Sequence, residues 1–203
     1  MVSTWIKISG MTSSIAVNSA IEAGVNAVGF VFAPSKRQVS PQQAREFSAN
    51  IPAHVARVAV MQRPAQSLVD EVLTTFNPDI LQIDWEDIAG LELPRQLEIY
   101  PVLRASKTWP TELPDRFVFE GPVSGTGEIA DWQQAARLAT QGKLILAGGL
   151  HAGNVAKAIK QVNPFGVDVS SGVESTPGIK ETTKIVEFVN AARHARIREA
   201  GVL

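Results

Sequence analysis

Three apolar runs in this sequence end on, or enclose, a carboxylate. Asp84 closes "LQID", Glu120 closes "RFVFE" and Asp168 interrupts "GVDVSSG". A carboxyl so placed can give or take a proton, and each is a candidate general acid or base. Glu120 is singled out because Phe117–Phe119 before it are wholly apolar. Asp168 is singled out because Val167 and Val169 flank it, which turns the carboxylate to the opposite face from theirs. A fourth run, "WIKIS", stops at Gly10, so Ser9 is its last side chain and Lys7 stands two residues earlier on the same face. A hydroxyl becomes reactive only beside a base, and a nearby lysine lowers the cost of negative charge. Lys7 reads equally well as a phosphate or carboxylate partner. Gln82 and Arg104 also stand at run ends, and Arg37 in "SKRQVSP" is of the type that clamps an anionic group or is simply solvated.

Two segments carry small residues in pairs. "LAGGLHAGNV" contains Gly148 and Gly149, and the stretch from Asp168 to Glu174 contains Ser170, Ser171 and Gly172. Such pairs free backbone N–H groups to converge on an anion, although a single glycine more often only permits a tight turn. "GTGEIA", starting at Gly125, formally matches a dinucleotide fingerprint, but that fingerprint needs an acidic residue about 20 positions on. The sequence there reads "LILAGGL", so a glycine loop beside the active site is the better reading.

The elements that must position these residues are short apolar runs alternating with amphipathic stretches. The runs are "WIKIS", "AVGFVF", "VARVAV", "DILQI", "IYPVLR", "RFVFEG", "KLILAGG" and "GVDVSSG". Four to seven residues rich in Val, Ile and Phe, each closed by a turn or polar residue, are what doubly buried parallel strands look like. Between them, residues 13–23 form a helical pattern with Ile15, Ala16, Ala20 and Ile21 on its apolar stripe, stopping at Gly24. Ser40, Pro41 and Gln43 make a capping box with proline at the first helical position. Residues 180–192 put Ile185, Val186, Val189 and Ala192 on one stripe. The helices after "DILQI" and "IYPVLR" are poorly marked, and Pro110 and Pro114 interrupt the second. "VNAVGF", "FNPDIL" and "VNPFGV" echo one another where a helix hands over to a strand.

Eight strands alternating with about eight helices predict a (β/α)₈ barrel, with an open doubly wound sheet as the rival. The whole of residues 1–203 reads as one such domain. In a barrel the glycine-rich segments follow strands 7 and 8, the recurrent phosphate site of that fold. Trp85 and Trp132 could cover an aromatic substrate, but packing is the more common role of tryptophan.

Bulk composition excludes several classes. The chain is 45% apolar and 19% charged with a net charge of -1, which suits a soluble globular protein and offers no basic footprint for nucleic acid or membrane. With no cysteine there is neither disulfide nor thiolate metal site, and His54, His151 and His194 lack ligand spacing, so no metal is expected. No run approaches the roughly 20 apolar residues of a membrane span, and the start lacks a signal-peptide pattern, so cytoplasm is the expectation.

Five segments resemble the phosphoribosylanthranilate isomerase family of tryptophan biosynthesis. "IKISGMT" resembles its K-[IV]-C-G-[IL]-T, and "GFVFAPSKRQVSP" its second motif. "SGTGEIADW" is similar to G-G-[ST]-G-x-x-[FL]-D-W, while "LAGGLHAGNVAKAI" and "PFGVDVSSGVESTPGIKE" follow its last two loops almost letter for letter. The resemblance implies a barrel that catalyses an Amadori rearrangement of N-(5-phosphoribosyl)anthranilate without a cofactor. It implies phosphate binding around Gly125, Gly148, Gly149, Ser170, Ser171 and Gly172. Lys7, Arg37, Asp84 and Asp168 become the candidate substrate-binding residues, with a phosphorylated small molecule as partner. Oligomeric state is left between monomer and homodimer.

The departures fall on the chemistry. Ser9 stands where the family has its general-base cysteine, and Glu120 where it has its general-acid aspartate. Asp84 stands where the family's Q-L-H-G has histidine. Ser9 and Glu120 are the candidate catalytic pair, Ser9 with help from a nearby carboxylate. The rivals are an isomerase for another phosphosugar, and a barrel that binds a phosphorylated ligand without turning it over.

Overall fold

The protein is described by a computed structural model covering residues 4–105, 109–121 and 130–195. Eight parallel strands close into a barrel: β1 (Trp5–Ser9), β2 (Ala27–Val31), β3 (Ala56–Met61), β4 (Ile80–Asp84), β5 (Glu98–Arg104), β6 (Arg116–Glu120), β7 (Lys143–Leu146) and β8 (Gly166–Val169). The open-sheet alternative is ruled out by the closing pair β1–β8, in which Lys7 lies opposite Asp168 and Ile8 opposite Val169.

Helices α1 (Ser14–Glu22), α2 (Pro41–Phe47), α3 (Gln66–Thr75), α4 (Trp85–Ile88), α5 (Trp132–Ala139), α6 (Val155–Val162) and α7 (Thr182–His194) cover the outside. That is seven α-helices among the described residues, not eight. The shortfall is at one of the two weakly marked positions, and the helix at the other is short. α4 is a single turn, and the described residues between β5 and β6 hold no α-helix, because Pro110 and Pro114 remove donors a helix needs. A 3₁₀ turn (Ser171–Val173) leads from β8 into a small antiparallel hairpin, β9 (Glu174–Thr176) and β10 (Ile179–Lys180).

The period-two alternation of the strands builds two layers. Ala27, Val58, Ile80, Tyr100, Val118 and Ile145 fill the barrel interior. Residues of the other parity, such as Phe30 and Phe119, pack outward under the helices; Phe30 meets Phe76 edge-on at 5.1 Å between ring centroids. Two helical stripes differ from expectation. Ile15 is 76% exposed and Val186 39%, while Val17 and Phe188 are buried instead. Ala16 and Ala20 of α1 and Ile185, Val189 and Ala192 of α7 are buried as expected, so only the edge of each stripe shifts, which a period of 3.6 leaves open until the helix docks.

Helix ends follow local rules. Ser40 and Gln43 form the reciprocal capping box, and Pro41 opens α2. Of the echoed asparagines, Asn77 (φ 51°) and Asn163 (φ 49°) adopt the left-handed conformation just past α3 and α6, which explains why that signature sits at helix-to-strand handovers. Replacing Ser40 with alanine removes one half of the capping box. An equilibrium denaturant titration of Ser40→Ala should show a loss of about 1 kcal/mol.

Candidate active site

Ser9, Asp84, Arg104 and Glu120 are the last residues of β1, β4, β5 and β6, so all four stand at the C-terminal mouth of the barrel. They line one pocket there together with Arg37, Asp168, Gly148, Gly149, Ser170 and Ser171. Three charged clusters build its floor and rim.

The first centres on Lys7, whose side chain is completely buried. Its ammonium donates to Ser9 Oγ, Gln82 Oε1 and Asp168 Oδ2, each at 2.6 Å. Three donors meet three acceptors, so the charge is fully satisfied. Ser9 in turn donates its hydroxyl to Asp168, 2.8 Å from Oδ1 and 3.1 Å from Oδ2. The cluster exists because β1 and β8 are neighbours and because β2 offers Gly29 opposite Ser9. A Cβ on Gly29 would lie 2.8 Å from Ser9 Oγ and 3.2 Å from Lys7 Cε, so no larger residue leaves room for both side chains.

The second cluster centres on Arg104. Its Nε and Nη2 grip Asp84 at 2.7 to 3.1 Å, and Nη1 reaches Glu120 Oε2 at 3.3 Å. Gln62 also donates to Asp84, at 3.1 Å. Burial pulls the Arg104 pKa down, but hydrogen bonds and charge from Asp84 and Glu120 outweigh it and raise it. Asp84 and Arg104 thus form a dry ion pair, with Glu120 beside them at the edge of the pocket.

The third cluster lies on the rim. Arg37 donates through Nε and Nη2 to the two oxygens of Glu174, at 2.6 and 2.8 Å. Lys180 donates to Glu174 Oε1 at 2.8 Å and to the Ser170 carbonyl at 2.9 Å. Burial pushes the Glu174 carboxyl up, yet the hydrogen bonds and charges of Arg37 and Lys180 prevail and hold it down at about 2. For Lys180 burial prevails over Glu174 and lowers the ammonium to about 8.

The two glycine-rich loops meet above β7 and β8. Gly148 (φ 92°) and Gly149 (φ 63°) take left-handed backbone, and Asn154 pins the loop by donating to the Gly149 carbonyl at 2.8 Å. Gly172 is the point of contact, where a Cβ would fall 2.0 Å from the Leu150 carbonyl oxygen.

Of the catalytic, substrate and phosphate candidates within the described residues, all line this pocket except Lys7, which is buried and bonded to Ser9, Gln82 and Asp168, and Gly172, which stands where the loops meet; Gly125 and the "SGTGEI" segment lie outside the described residues. Trp85 opens α4 and is 37% exposed, while Trp132 packs half-buried against the outer core. Lys180 and Gln62 were not foreseen. The one signal for Lys180 is Pro177-Gly178, a turn dipeptide that folds Lys180 back onto Glu174. Among the described residues, no cluster of His, Cys, Asp or Glu is arranged to hold a metal ion, and no helix is long and apolar enough to cross a membrane.

Fold and site together define a (β/α)₈ barrel whose mouth gathers carboxylates, cationic side chains and two glycine-rich loops. A family model described as N-(5'phosphoribosyl)anthranilate (PRA) isomerase matches residues 6–191. The N-(5'-phosphoribosyl)anthranilate isomerase of Streptococcus gordonii is 36% identical over 193 residues, covering 94% of this chain and 98% of the relative. The crystal structure of phosphoribosyl anthranilate isomerase from Thermus thermophilus superposes with a TM-score of 0.82 at 25% identity, covering 95% of this chain and 100% of that one. A phosphoribosyl anthranilate isomerase in complex with reduced 1-(o-carboxyphenylamino)-1-deoxyribulose 5-phosphate gives a TM-score of 0.76 at 28% identity, covering 94% and 99%. The chain belongs to the N-(5'-phosphoribosyl)anthranilate isomerase family.

Two outcomes follow from this geometry. Gly172→Ala must part the two loops, so inorganic phosphate should bind at least about tenfold more weakly by calorimetry, with a stability loss of about 1–3 kcal/mol. Glu174 binds fewer protons folded than unfolded, so its contribution is present above about pH 4.5 and is lost as pH falls towards about 2. Unfolding midpoints followed through that window should fall less steeply in Glu174→Gln than in the wild type.

Proposed function

We propose that this chain converts N-(5-phosphoribosyl)anthranilate to 1-(2-carboxyphenylamino)-1-deoxyribulose 5-phosphate in tryptophan biosynthesis. Family membership supports the reaction. The observation that carries the mechanism is the pairing, in one pocket, of a strand-end carboxyl with a hydroxyl backed by a second carboxylate.

Glu120 is the general acid. It protonates the ribose ring oxygen as the ring C1–O bond breaks, and the substrate nitrogen lone pair forms the C1=N iminium. The C2–H bond then breaks and its electron pair becomes the C1=C2 double bond of an enaminol. Ser9 Oγ takes that proton while its own hydroxyl proton passes to Asp168, already 2.8 Å away. Tautomerisation of the enaminol gives the ketone. Carbon oxidation at C2 balances reduction at C1, so the step calls for no external oxidant or reductant.

Asp168 matters because a bare serine is a poor base, whereas a hydroxyl aimed at a carboxylate can relay a proton. Lys7 holds both partners in line and offsets negative charge on them. Glutamate in place of aspartate at 120 adds a methylene, and a 1 Å misplacement can cost on the order of 100-fold, so Arg104 at 3.3 Å is assigned to hold the longer side chain. Arg37 on the rim and Asp84 on the floor complete the substrate-facing surface, and the loops at Gly148–Gly149 and Ser170–Gly172 take the phosphate. The loop around Gly125 is assigned to the phosphate as well. The same reading makes residues 1–203 one barrel domain, cytoplasmic, acting as monomer or homodimer.

Turnover is followed by loss of substrate fluorescence. Ser9→Ala and Glu120→Gln should each lose about 10²- to 10⁴-fold in kcat. Undiminished turnover in Ser9→Ala would hand the base role to a carboxylate acting directly, and undiminished turnover in Glu120→Gln would remove the acid assignment. Activity in Ser9→Cys alone, with none in the wild type, would make the natural protein a phosphate-ligand-binding barrel.

A further inference from the structure

The hairpin β9–β10 is short, yet it holds two residues that line the pocket, Arg37 and Ser170. It is tied down on several sides. Thr12 donates to the Gly178 carbonyl at 2.7 Å, and the Glu181 N–H donates to the Val173 carbonyl at 2.9 Å. Gly178 (φ +92°) lies so close to the loop carrying Arg37 that a Cβ there would come within 2.6 Å of the Lys36 carbonyl oxygen. The hairpin therefore packs directly on the Arg37 loop.

Two side chains of this hairpin face inward. Glu174 holds Arg37 by two hydrogen bonds along one edge of the guanidinium, which fixes its plane. Nη1 makes no hydrogen bond among the described residues, so part of the guanidinium is left for a ligand in the pocket that Arg37 lines. Lys180, whose side chain has no exposed surface, donates to Glu174 Oε1 and to both the carbonyl and the hydroxyl of Ser170. A trans peptide directs its C=O and N–H to opposite sides. With the Ser170 carbonyl drawn to Lys180, the Ser171 N–H is turned the other way.

We propose that Glu174 and Lys180 are positioning residues for substrate capture, one fixing Arg37 for an anionic group of the substrate and the other setting the Ser170–Ser171 peptide for the phosphate. This rests on the reaction proposed above. Two cations share one carboxylate, so the cluster of Arg37, Glu174 and Lys180 carries a net positive charge towards an anionic ligand. Asp168, on β8, also bears on Lys180 by charge, while Lys184 reaches Glu174 only at its carbonyl oxygen and pairs with Glu181.

The experiment measures steady-state kcat and KM together with the Kd of inorganic phosphate, for wild type, Glu174→Gln and Lys180→Met. Glu174→Gln should raise KM by about tenfold or more with kcat within about threefold. Lys180→Met should raise both KM and phosphate Kd by about tenfold or more. In the wild type, phosphate binding should weaken from about pH 7.5 to about pH 9.5 as Lys180, lowered to about 8, gives up its proton. Changes confined to kcat, an unaltered phosphate Kd in Lys180→Met, or a flat wild-type pH profile would each overturn the proposal. If Lys180→Met does not fold, the wild-type profile decides. Should the wild type fail to turn over N-(5-phosphoribosyl)anthranilate, the reaction is wrong, and the phosphate measurements still judge the role of Lys180.

Discussion

A lysine ammonium with no exposed surface sits inside this barrel, and the rest of the site is arranged around it. Such a charge is tolerated only when each of its donors is met, since an unpaired buried ion costs several kcal/mol. Asp168, Ser9 and Gln82 meet that demand from β8, β1 and β4. The requirement works in both directions. Lys7 fixes the Asp168 carboxylate and the Ser9 hydroxyl in one orientation, and the two acceptors most involved in the proposed proton transfer are the ones it holds. Gly29 belongs to the same constraint, because the space a side chain would take on β2 is the space Ser9 and Lys7 use.

The other charges follow the same logic at decreasing depth. Arg104 and Asp84 are a dry pair on the floor, and Glu120 sits next to them with more exposure. Arg37, Glu174 and Lys180 form the rim, where the balance leaves one positive charge over. The floor pairs its buried charges, while the rim keeps an excess of positive charge. In the proposed function the glycine-rich loops add backbone N–H groups rather than side-chain charge, which allows close approach without crowding.

The serine at position 9 becomes intelligible against this background. A thiol can lose its proton near neutral pH unaided, but a serine hydroxyl cannot. Here the hydroxyl has a carboxylate to donate to and an ammonium to accept from, so the neighbours supply what the side chain lacks. The extra methylene of Glu120 is similarly matched by Arg104, which reaches across from the neighbouring strand where the two residues lie opposite each other.

Much of this was legible in the chain. Runs of Val, Ile and Phe between amphipathic segments mark eight strands, because a doubly buried parallel strand is mostly apolar. Strand ends name Ser9, Asp84, Arg104 and Glu120, a carboxylate between two valines names Asp168, and the paired glycines name the loops. Capping at Ser40–Gln43 and the left-handed turns at Asn77 and Asn163 are equally local. What the sequence alone left open was everything that depends on which strand lies beside which. Barrel closure puts Lys7 next to Asp168, 161 residues away, and the β9–β10 turn brings Lys180 to Glu174 under Arg37. The edges of the α1 and α7 stripes were open too, since the limits of a helical stripe are set only when the helix docks. Periodicity encodes which side of an element is buried. Register and closure decide which charges share that buried space, and their partners come from distant segments that no local pattern connects.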